Sequence, residues 1–215
     1  MGAKLVAGST YGKGSGSAQA RALHRAALRL SGGRAGIVLI GMTDATRLPD
    51  PMEALDALPA GCALIWRAYG RGATAASLQQ LAARARAKNC LLLIAGEPML
   101  SRRLGANGLH LPERMLTRPY GNGHGAITAA AHSETAIHAA ARAGAAAVLI
   151  SPVFPTASHL DAVALGIVKL AKLARLARTL GMAPYALGGI ATGADIRRLA
   201  GTGAAGVAGV GFLHD

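Results

Sequence analysis

Hydroxyl and imidazole groups are concentrated in one stretch, Ser-Pro-Val-Phe-Pro-Thr-Ala-Ser-His at residues 151–159. Thr156 and Ser158 can each donate a hydrogen bond to a phosphate or a carboxylate. The prolines of the stretch prevent regular secondary structure, so we predict a shaped loop. The apolar run 145–150 before it is typical of a buried parallel strand. Because α/β proteins bind ligands at the carboxyl ends of such strands, the loop is a candidate ligand site.

Two glycine-rich stretches follow later apolar runs. Gly188 and Gly189 end one run, and Val210 and Gly211 end the last one. Glycine allows backbone N–H groups to approach a phosphate closely. Together with the hydroxyl-rich loop, these stretches predict a phosphorylated small molecule as the ligand. The alternative is that the glycines serve turn geometry alone.

Three further side chains are candidates for chemistry at predicted strand ends. Arg67 could make a bidentate contact with a phosphate or carboxylate, or a surface salt bridge with Asp44 or Glu97. His110 and His132 could act as general acid or base, or serve as hydrogen-bonded structural groups. The sequence alone leaves these alternatives open.

Metal and redox chemistry are poorly supported by the sequence. Glu97 and Glu113 have no carboxylate partner close in sequence, as a metal site would require. Cys62 and Cys90 form no CxxC pair and stand at the starts of predicted strands. We therefore predict two buried, unreactive thiols.

These residues lie on an alternating pattern of strands and helices. The predicted strands are 36–42, 63–66, 91–95, 108–111, 126–131, one containing 148–150, 184–187 and 206–210. The predicted helices are 17–31, 51–58, 73–88, one with Pro98 near its start, one with Ser133 as N-cap, 165–180 and 195–200. Glycines 105, 144 and 203 are predicted at helix C′ positions before strands.

Eight strands with intervening helices predict an α/β fold, a single (β/α)₈ TIM barrel with an extra N-terminal helix. A doubly wound open sheet is disfavoured because no Gly-x-Gly-x-x-Gly follows the first strand. Residues 1–16 are predicted to be a flexible or capping segment, and residues 17–215 the barrel domain.

The net charge of +13 raises the question of nucleic-acid binding. The basic residues are spread over predicted outer helix faces, and aromatic residues make up only 3% of the chain, so we predict no nucleic-acid partner. No apolar run reaches the roughly 20 residues of a membrane span. Without a secretory signal, the sequence predicts a cytoplasmic protein with no membrane contact. Homo-oligomer formation is left open.

Four motifs resemble those of thiamine phosphate synthase and its relative TenI. They are Gly-Leu-His-Leu at 108–111, Ala-His-Ser at 131–133, Ser-Pro-Val-Phe-Pro-Thr at 151–156 and Leu-Gly-Gly-Ile at 187–190. The resemblance spans roughly residues 36–213 and implies a (β/α)₈ barrel. It also implies a transferase that joins hydroxymethylpyrimidine pyrophosphate to a thiazole phosphate, with Mg²⁺ on the pyrophosphate.

The resemblance assigns roles to residues at two predicted loops. Gly188, Gly189, Val210 and Gly211 would hold the thiazole phosphate. Thr156 and Ser158, in the hydroxyl-rich loop, would line the junction between the two substrates.

The chain departs from this family where the pyrophosphate and metal would bind. The family's Gln-x-Arg-x-Lys is matched at residues 65–69 only by Arg67, and its Asn-Asp pair by Ala-Gly at 95–96. A further aspartate falls near Met115, and the lysine that closes the 151–159 loop is His159. The usual Mg²⁺ ligands are thus largely missing, which costs stabilisation of the departing pyrophosphate. Arg67, Tyr69 and His159 could compensate in part as hydrogen-bond donors.

Two alternative functions follow from these departures. A TenI-like thiazole isomerase needs proton transfer and no metal. The histidine that TenI carries in the sixth loop is matched by Pro152, so His132 or His159 would carry the proton. The other alternative is a non-catalytic barrel that binds a phosphorylated metabolite.

Overall fold

The computed structural model describes residues 17–33, 36–67, 74–121, 123–156 and 163–213. Eight parallel strands pair in chain order and close into a barrel, and an additional helix precedes the first strand. The predicted TIM barrel with an N-terminal helix is therefore confirmed. The strands are β1 (Leu39–Met42), β2 (Ala63–Trp66), β3 (Leu91–Ala95), β4 (Gly108–Leu111), β5 (Ala126–Ala131), β6 (Ala147–Ile150), β7 (Ala183–Leu187) and β8 (Gly206–Gly209).

The helices surround the strands, and most begin at a side-chain cap. They are α1 (Ala18–Leu30), α2 (Pro51–Ala57), α3 (Ala75–Ala87), α4 (Pro98–Arg103), α5 (Glu134–Arg142), α6 (Gly166–Thr179) and α7 (Gly193–Arg198). Ser17, Asp50, Thr74, Ser133 and Thr192 each accept a hydrogen bond from an amide of the first turn. Such caps stabilise a helix by about 1 kcal/mol each. Among the described residues, no helix is long and apolar enough to cross a membrane.

The last helix differs from its prediction. It was expected over 195–200 but begins at Gly193, because Thr192 and Asp195 form a reciprocal capping box. The helix ends at Arg198, and Gly203 lies beyond the C′ position predicted for it. Gly105 and Gly144 do follow the C-caps of α4 and α5, with φ of 56° and 84°. β1 also begins three residues later than predicted, at Leu39 rather than 36.

One connection of the barrel has no full helix. Within the described residues 112–121 and 123–125, which join β4 to β5, a single 3₁₀ turn at Glu113–Met115 is the only helical segment. The next part of this connection is a turn followed by irregular backbone, and Tyr120 donates its amide to the carbonyl of Ala143. The ring of helices is therefore thinner on this side of the barrel.

The barrel closes between β8 and β1, where two backbones come very close. Leu39 pairs with Val207 and Gly41 with Gly209. A Cβ atom at Gly206 would lie 2.3 Å from the carbonyl oxygen of Val38 on the neighbouring chain segment. Only a residue without a side chain fits this position.

A buried tyrosine reinforces the closure. The Tyr185 hydroxyl on β7 donates a 2.6 Å hydrogen bond to the carbonyl of Ile37, which lies just before β1. Burial raises the pKa of Tyr185 well above its usual range, so the phenol remains a donor. The bond joins segments 148 residues apart in sequence.

The core around the strands consists mainly of aliphatic side chains. The two cysteines belong to it: both are buried free thiols, as predicted. Burial raises the pKa of Cys62 and Cys90, which keeps both in the unreactive thiol form. The Cys90 Sγ is also 3.3 Å from the carbonyl of Pro59.

Replacing Gly206 with alanine tests the closure. We expect Gly206→Ala to lower the free energy of unfolding by about 2 kcal/mol or more, because its methyl group meets backbone that cannot move without breaking the β8–β1 pairing. Urea unfolding followed by circular dichroism measures this. Gly121→Ala is the control, since nothing lies within 4 Å of a Cβ at that position. Equal midpoints for the two variants would contradict the tight closure.

Candidate functional site

The carboxyl ends of the strands bring most of the predicted site residues to one mouth of the barrel. The side chains and backbone segments found there are Thr43 and Asp44 after β1, Arg67 after β2, Glu113 after β4, His132 after β5, Ser151 after β6, Gly188 and Gly189 after β7, and Val210 and Gly211 after β8. Ligands of TIM barrels bind at this end of the strands.

The loop after β6 is fixed on both sides by backbone hydrogen bonds. Val153 and Phe154 donate their amides to the carbonyls of Leu187 and Gly188, at 2.9 and 3.1 Å. Leu165 donates to the carbonyl of Pro152 at 2.8 Å, which joins the loop to the start of α6. The peptide bond before Pro152 is cis. The described part of this loop therefore has a defined shape, as predicted.

Gly188 and Gly189 lie directly against that loop. Both have positive φ, at 96° and 69°. A Cβ at Gly189 would lie 2.6 Å from the Cβ of Phe154, and one at Gly188 would lie 3.0 Å from the Cα of Pro152. Close packing with the β6 loop thus requires both glycines, independently of any ligand.

The glycine after β8 is in a different situation. A Cβ at Gly211 would have no atom within 4 Å, and its φ is not in the left-handed region. Its neighbour Val210 accepts a 3.0 Å hydrogen bond from the amide of Leu213, which shapes the turn. No described residue accepts a hydrogen bond from the amide of Gly189 or Gly211. These two N–H groups remain available to an anion at the mouth.

Arg67 contacts the end of β1. Its guanidinium Nη2 lies 3.0 Å from Asp44 Oδ2, and its Nε donates to the carbonyl of Thr43. Its amide donates to Thr43 Oγ1 at 2.8 Å. The structure therefore contains the salt bridge with Asp44 that was one of two interpretations, and the contact of Arg67 with a substrate stays a prediction.

Asp44 interacts with a second arginine. Arg47 Nη2 lies 3.2 Å from the same carboxylate, whose Oδ1 accepts the amides of Thr46 and Arg47. Burial alone would raise the pKa of Asp44, but these hydrogen bonds and the charge of Arg47 hold it well below its usual range. Asp44 is therefore ionised at physiological pH and neutralises part of the positive charge beside Arg67.

His110 lies inside β4 and is buried. Its Nδ1 is 2.9 Å from Thr128 Oγ1 on the neighbouring strand β5. Burial, and to a smaller degree the charge of Arg67, lower the pKa of His110 to about 3. The ring is neutral at physiological pH. It can therefore form a hydrogen bond with a ligand, but it carries no positive charge.

His132 forms the center of a polar cluster at the ends of β4, β5 and β6. Its Nδ1 lies 2.7 Å from the carbonyl oxygen of Ser151 and 3.3 Å from Ser151 Oγ. Its Nε2 lies 3.7 Å from Glu113 Oε2, and its amide donates to the same oxygen at 3.1 Å. A carbonyl can only accept, so Nδ1 carries a hydrogen and the lone pair of the neutral ring is on Nε2. The His132 side chain is 50% exposed and can be reached from solvent.

Three predicted site residues lie outside the described residues: Tyr69, Ser158 and His159. Thr156 is the last described residue of the β6 loop and is partly buried. The roles assigned to these four side chains stay predictions.

The described mouth offers few ligands for a magnesium ion. Asp44 is paired with two arginines, and Glu113 accepts the amide of His132. Among the described residues, no three His, Cys, Asp or Glu side chains are grouped as a metal site requires. Mg²⁺ prefers octahedral oxygen ligands. This ion is usually held by one or two carboxylates together with water and substrate phosphates, and in the described mouth Asp44 and Glu113 are each already engaged by other groups.

Sequence reasoning missed the partners that orient the two histidines. Thr128 is the single polar residue of β5, and this isolated hydroxyl in an apolar run was a usable signal for a buried hydrogen bond. Ser151 was recognised only as part of the loop. Its contact with His132 depends on the pairing of Ala131 with Ile150, which the sequence does not reveal.

The pKa of His110 predicts a pH effect on stability. Above pH 6.5, the ordinary pKa of histidine, the ring is neutral in the folded and the unfolded protein. Below it, the unfolded chain binds a proton that the folded chain excludes until about pH 3. The free energy of unfolding therefore decreases as the pH falls through this range, by up to about 1.4 kcal/mol per pH unit. We expect the free energy of unfolding of His110→Gln, measured by denaturant titration, to fall less between about pH 6 and 4 than that of the wild type. Parallel wild-type and variant curves would contradict the buried, neutral ring.

The same fold occurs in several solved enzymes. Thiamine phosphate pyrophosphorylase from Pyrococcus furiosus superposes with a TM-score of 0.61 at 22% identity, covering 80% of this chain and 84% of that chain. Deoxyribose phosphate aldolase from Aeropyrum pernix gives 0.57 at 16% identity, with coverage of 90% and 94%. The HpcH/HpaI aldolase from Desulfitobacterium hafniense gives 0.56 at 15% identity, with coverage of 85% and 88%. At such identities the likeness shows the fold alone.

Sequence comparison identifies the family. No curated protein matches the chain. A sequence model described as thiamine monophosphate synthase matches residues 43–213, from the end of β1 to the turn after β8. Because this match covers most of the chain, including seven of the eight strands, the protein belongs to the thiamine monophosphate synthase family.

Proposed function

We propose that the protein binds a thiazole phosphate at the barrel mouth, as a thiamine monophosphate synthase-like protein of thiamine biosynthesis. The observation that carries this proposal is the pair of unused amide groups at Gly189 and Gly211, on the loops after β7 and β8. Phosphates commonly bind in TIM barrels at these two loops. The family membership supports the same assignment.

A second candidate function, a metal-independent thiazole isomerase, is favoured by the cluster around His132. The neutral ring can accept a proton at Nε2, and Glu113 at 3.7 Å stabilises the imidazolium that forms. The Ser151 carbonyl holds Nδ1–H and so fixes the ring orientation. The cluster can thus take a proton from one position of a bound ring and return it to another.

The complete coupling reaction has less support from the described residues. Pyrophosphate departure needs cationic groups or a metal at the developing charge. Arg67 already pairs with Asp44, and the Asp44 and Glu113 carboxylates of the described mouth are themselves engaged by other groups. The transferase activity, a cytoplasmic location and the lack of a nucleic-acid partner stay predictions, and the oligomeric state stays open.

Exchanging Gly211 tests phosphate binding without disturbing the fold. The added methyl group of Gly211→Ala lies in open space, so thermal stability should be unchanged, while the methyl occupies the volume that the phosphate needs. The backbone N–H is kept in alanine, but a methyl group that displaces the phosphate from it should lower the affinity for thiazole phosphate in calorimetric titration at least about tenfold. Gly121→Ala is the control. Undiminished binding by Gly211→Ala would refute the proposed phosphate position, and no binding by the wild type would refute the function.

Gly188→Val and Gly189→Ala are poorer tests of the same site. Their side chains would strike the β6 loop at positive φ, so reduced binding could follow from misfolding alone.

The second substrate separates the synthase from the other functions. In the same titration with hydroxymethylpyrimidine pyrophosphate, we expect little binding, and no gain with Mg²⁺, because Arg67 and the Asp44 and Glu113 carboxylates of the described mouth are already engaged by other groups. Tight binding that Mg²⁺ strengthens would instead establish the coupling reaction as the function.

Exchanging His132 tests the isomerase. We expect His132→Ala to lower the isomerisation rate by about 10²–10⁴-fold with little change in thiazole phosphate affinity, as for loss of a general base. Glu113→Gln should reduce the rate less, because it keeps the hydrogen-bond acceptor for the His132 amide and loses only the charge. His138→Ala, on the exposed face of α5, is the matched control. If His132→Ala turns over thiazole phosphate like the wild type, the proton-transfer role is wrong.

A further inference from the structure

A cleft lies on the side of the barrel where the β4–β5 connection has no full helix. It is bounded by α4, the 3₁₀ turn and the irregular segment that follows, and its volume is about 440 Å³. Small-molecule sites typically measure about 300–1,000 Å³. None of the mouth residues described above lines it. The cleft is therefore a separate space of ligand size.

The inner end of the cleft contains a histidine with an unmet hydrogen bond. His124 is only 6% exposed, and its Nδ1 is buried with no hydrogen-bond partner among the described residues. Its ring lies edge-on to Tyr120, with centroids 6.2 Å apart, and this contact gives Nδ1 no partner. Since buried polar atoms in proteins are nearly always paired, the orphaned nitrogen indicates that another polar atom belongs here.

Two arginines border the same cleft without acidic partners. Neither Arg102 nor Arg118 forms an ion pair with a carboxylate among the described residues. The Arg118 guanidinium lies 5.0 Å from the centroid of the Tyr120 ring. The Arg102 Nε is 3.8 Å from the position of a Cβ at Gly123, the residue before His124. Two guanidinium groups without carboxylate partners thus line the same cleft as the orphaned ring nitrogen.

The charges of these arginines also affect His124 itself. Burial, followed by the charges of Arg102 and Arg118, lowers the pKa of His124. The ring is therefore neutral at physiological pH and adds no third positive charge to the cleft. It can form a hydrogen bond with the polar edge of a ligand.

The remaining lining of the cleft is apolar. Pro98, Met99, Met115 and Tyr120 contribute most of it, and Met99 is 70% exposed. Methionine and aromatic side chains bind flat rings well. The combination of two arginines with this apolar surface calls for a ligand that has an anionic group and a hydrophobic or aromatic body.

We propose that this cleft is a second binding site of the protein, for a small aromatic anion. Its phosphate or carboxylate group lies between Arg102 and Arg118, its ring packs on Met99 and Tyr120, and a polar atom of the ligand meets Nδ1 of His124. The site does not depend on the function proposed for the barrel mouth.

Histidine side-chain NMR can observe this site directly. The full-length protein is titrated with phenyl phosphate and, separately, with benzoate, which tests a carboxylate in place of the phosphate. Inorganic phosphate tests the anionic half of the ligand alone, and phenol tests the aromatic half alone. The His124 ring signals are assigned by their loss in His124→Gln. We expect phenyl phosphate or benzoate to shift these signals in a saturable manner, and inorganic phosphate and phenol to bind at least about tenfold more weakly. Whichever of the first two binds more tightly identifies the anionic group.

Substitution of the arginines completes the test. Arg102→Gln with Arg118→Gln should weaken the binding by about tenfold or more, whereas Arg103→Gln, the neighbour on α4 that does not line the cleft, should leave it unchanged. All three arginines are exposed, so the variants fold. Gly211→Ala at the mouth should have no effect on the His124 shifts. The proposal is overturned if neither aromatic anion moves the His124 signals at millimolar concentration, or if the double arginine variant binds like the wild type.

Discussion

The pairing of β8 with β1 is the interaction on which the rest of the structure depends. It turns eight short strands into a closed barrel, and it requires that Gly206 place no atom between two backbones. The Tyr185 hydroxyl holds the same seam from β7. Because closure directs all eight carboxyl ends to one mouth, residues as distant in sequence as Asp44 and Gly211 share a site.

Among the described residues of the mouth, the charged side chains are largely paired. Asp44 pairs with both Arg47 and Arg67, and His110 remains neutral in the barrel interior. His132 is held by a carbonyl on one side and faces Glu113 on the other. This arrangement suits a bound monophosphate and proton transfer better than the departure of a pyrophosphate, which would need several unpaired cations.

Much of the fold could be predicted from the sequence, because buried parallel strands are continuous apolar runs and their helices begin at recognisable caps. The bounds of β2, β3, β4 and β5 were predicted correctly. α7 was displaced because the reciprocal bonds of Thr192 and Asp195 decide its start. In the candidate site, the predicted strand ends placed His132 and Arg67 correctly at the mouth, but the residues that His132 contacts were not predicted. Those contacts depend on distances between strands, and neither Ser151 nor Glu113 carries a local signal for them.

The glycines at the mouth have consequences for how sequence variation within the family should be interpreted. Gly188 and Gly189 both pack against the β6 loop, and the carbonyls of Leu187 and Gly188 accept hydrogen bonds from it, so the two loops form one unit. A variant with any side chain at position 189 would misfold, whatever its effect on ligand binding. An invariant glycine at this position would therefore say nothing about the ligand. Gly211 is under no such structural requirement. A glycine retained at this position in relatives would therefore be informative about the ligand in a way that Gly189 is not.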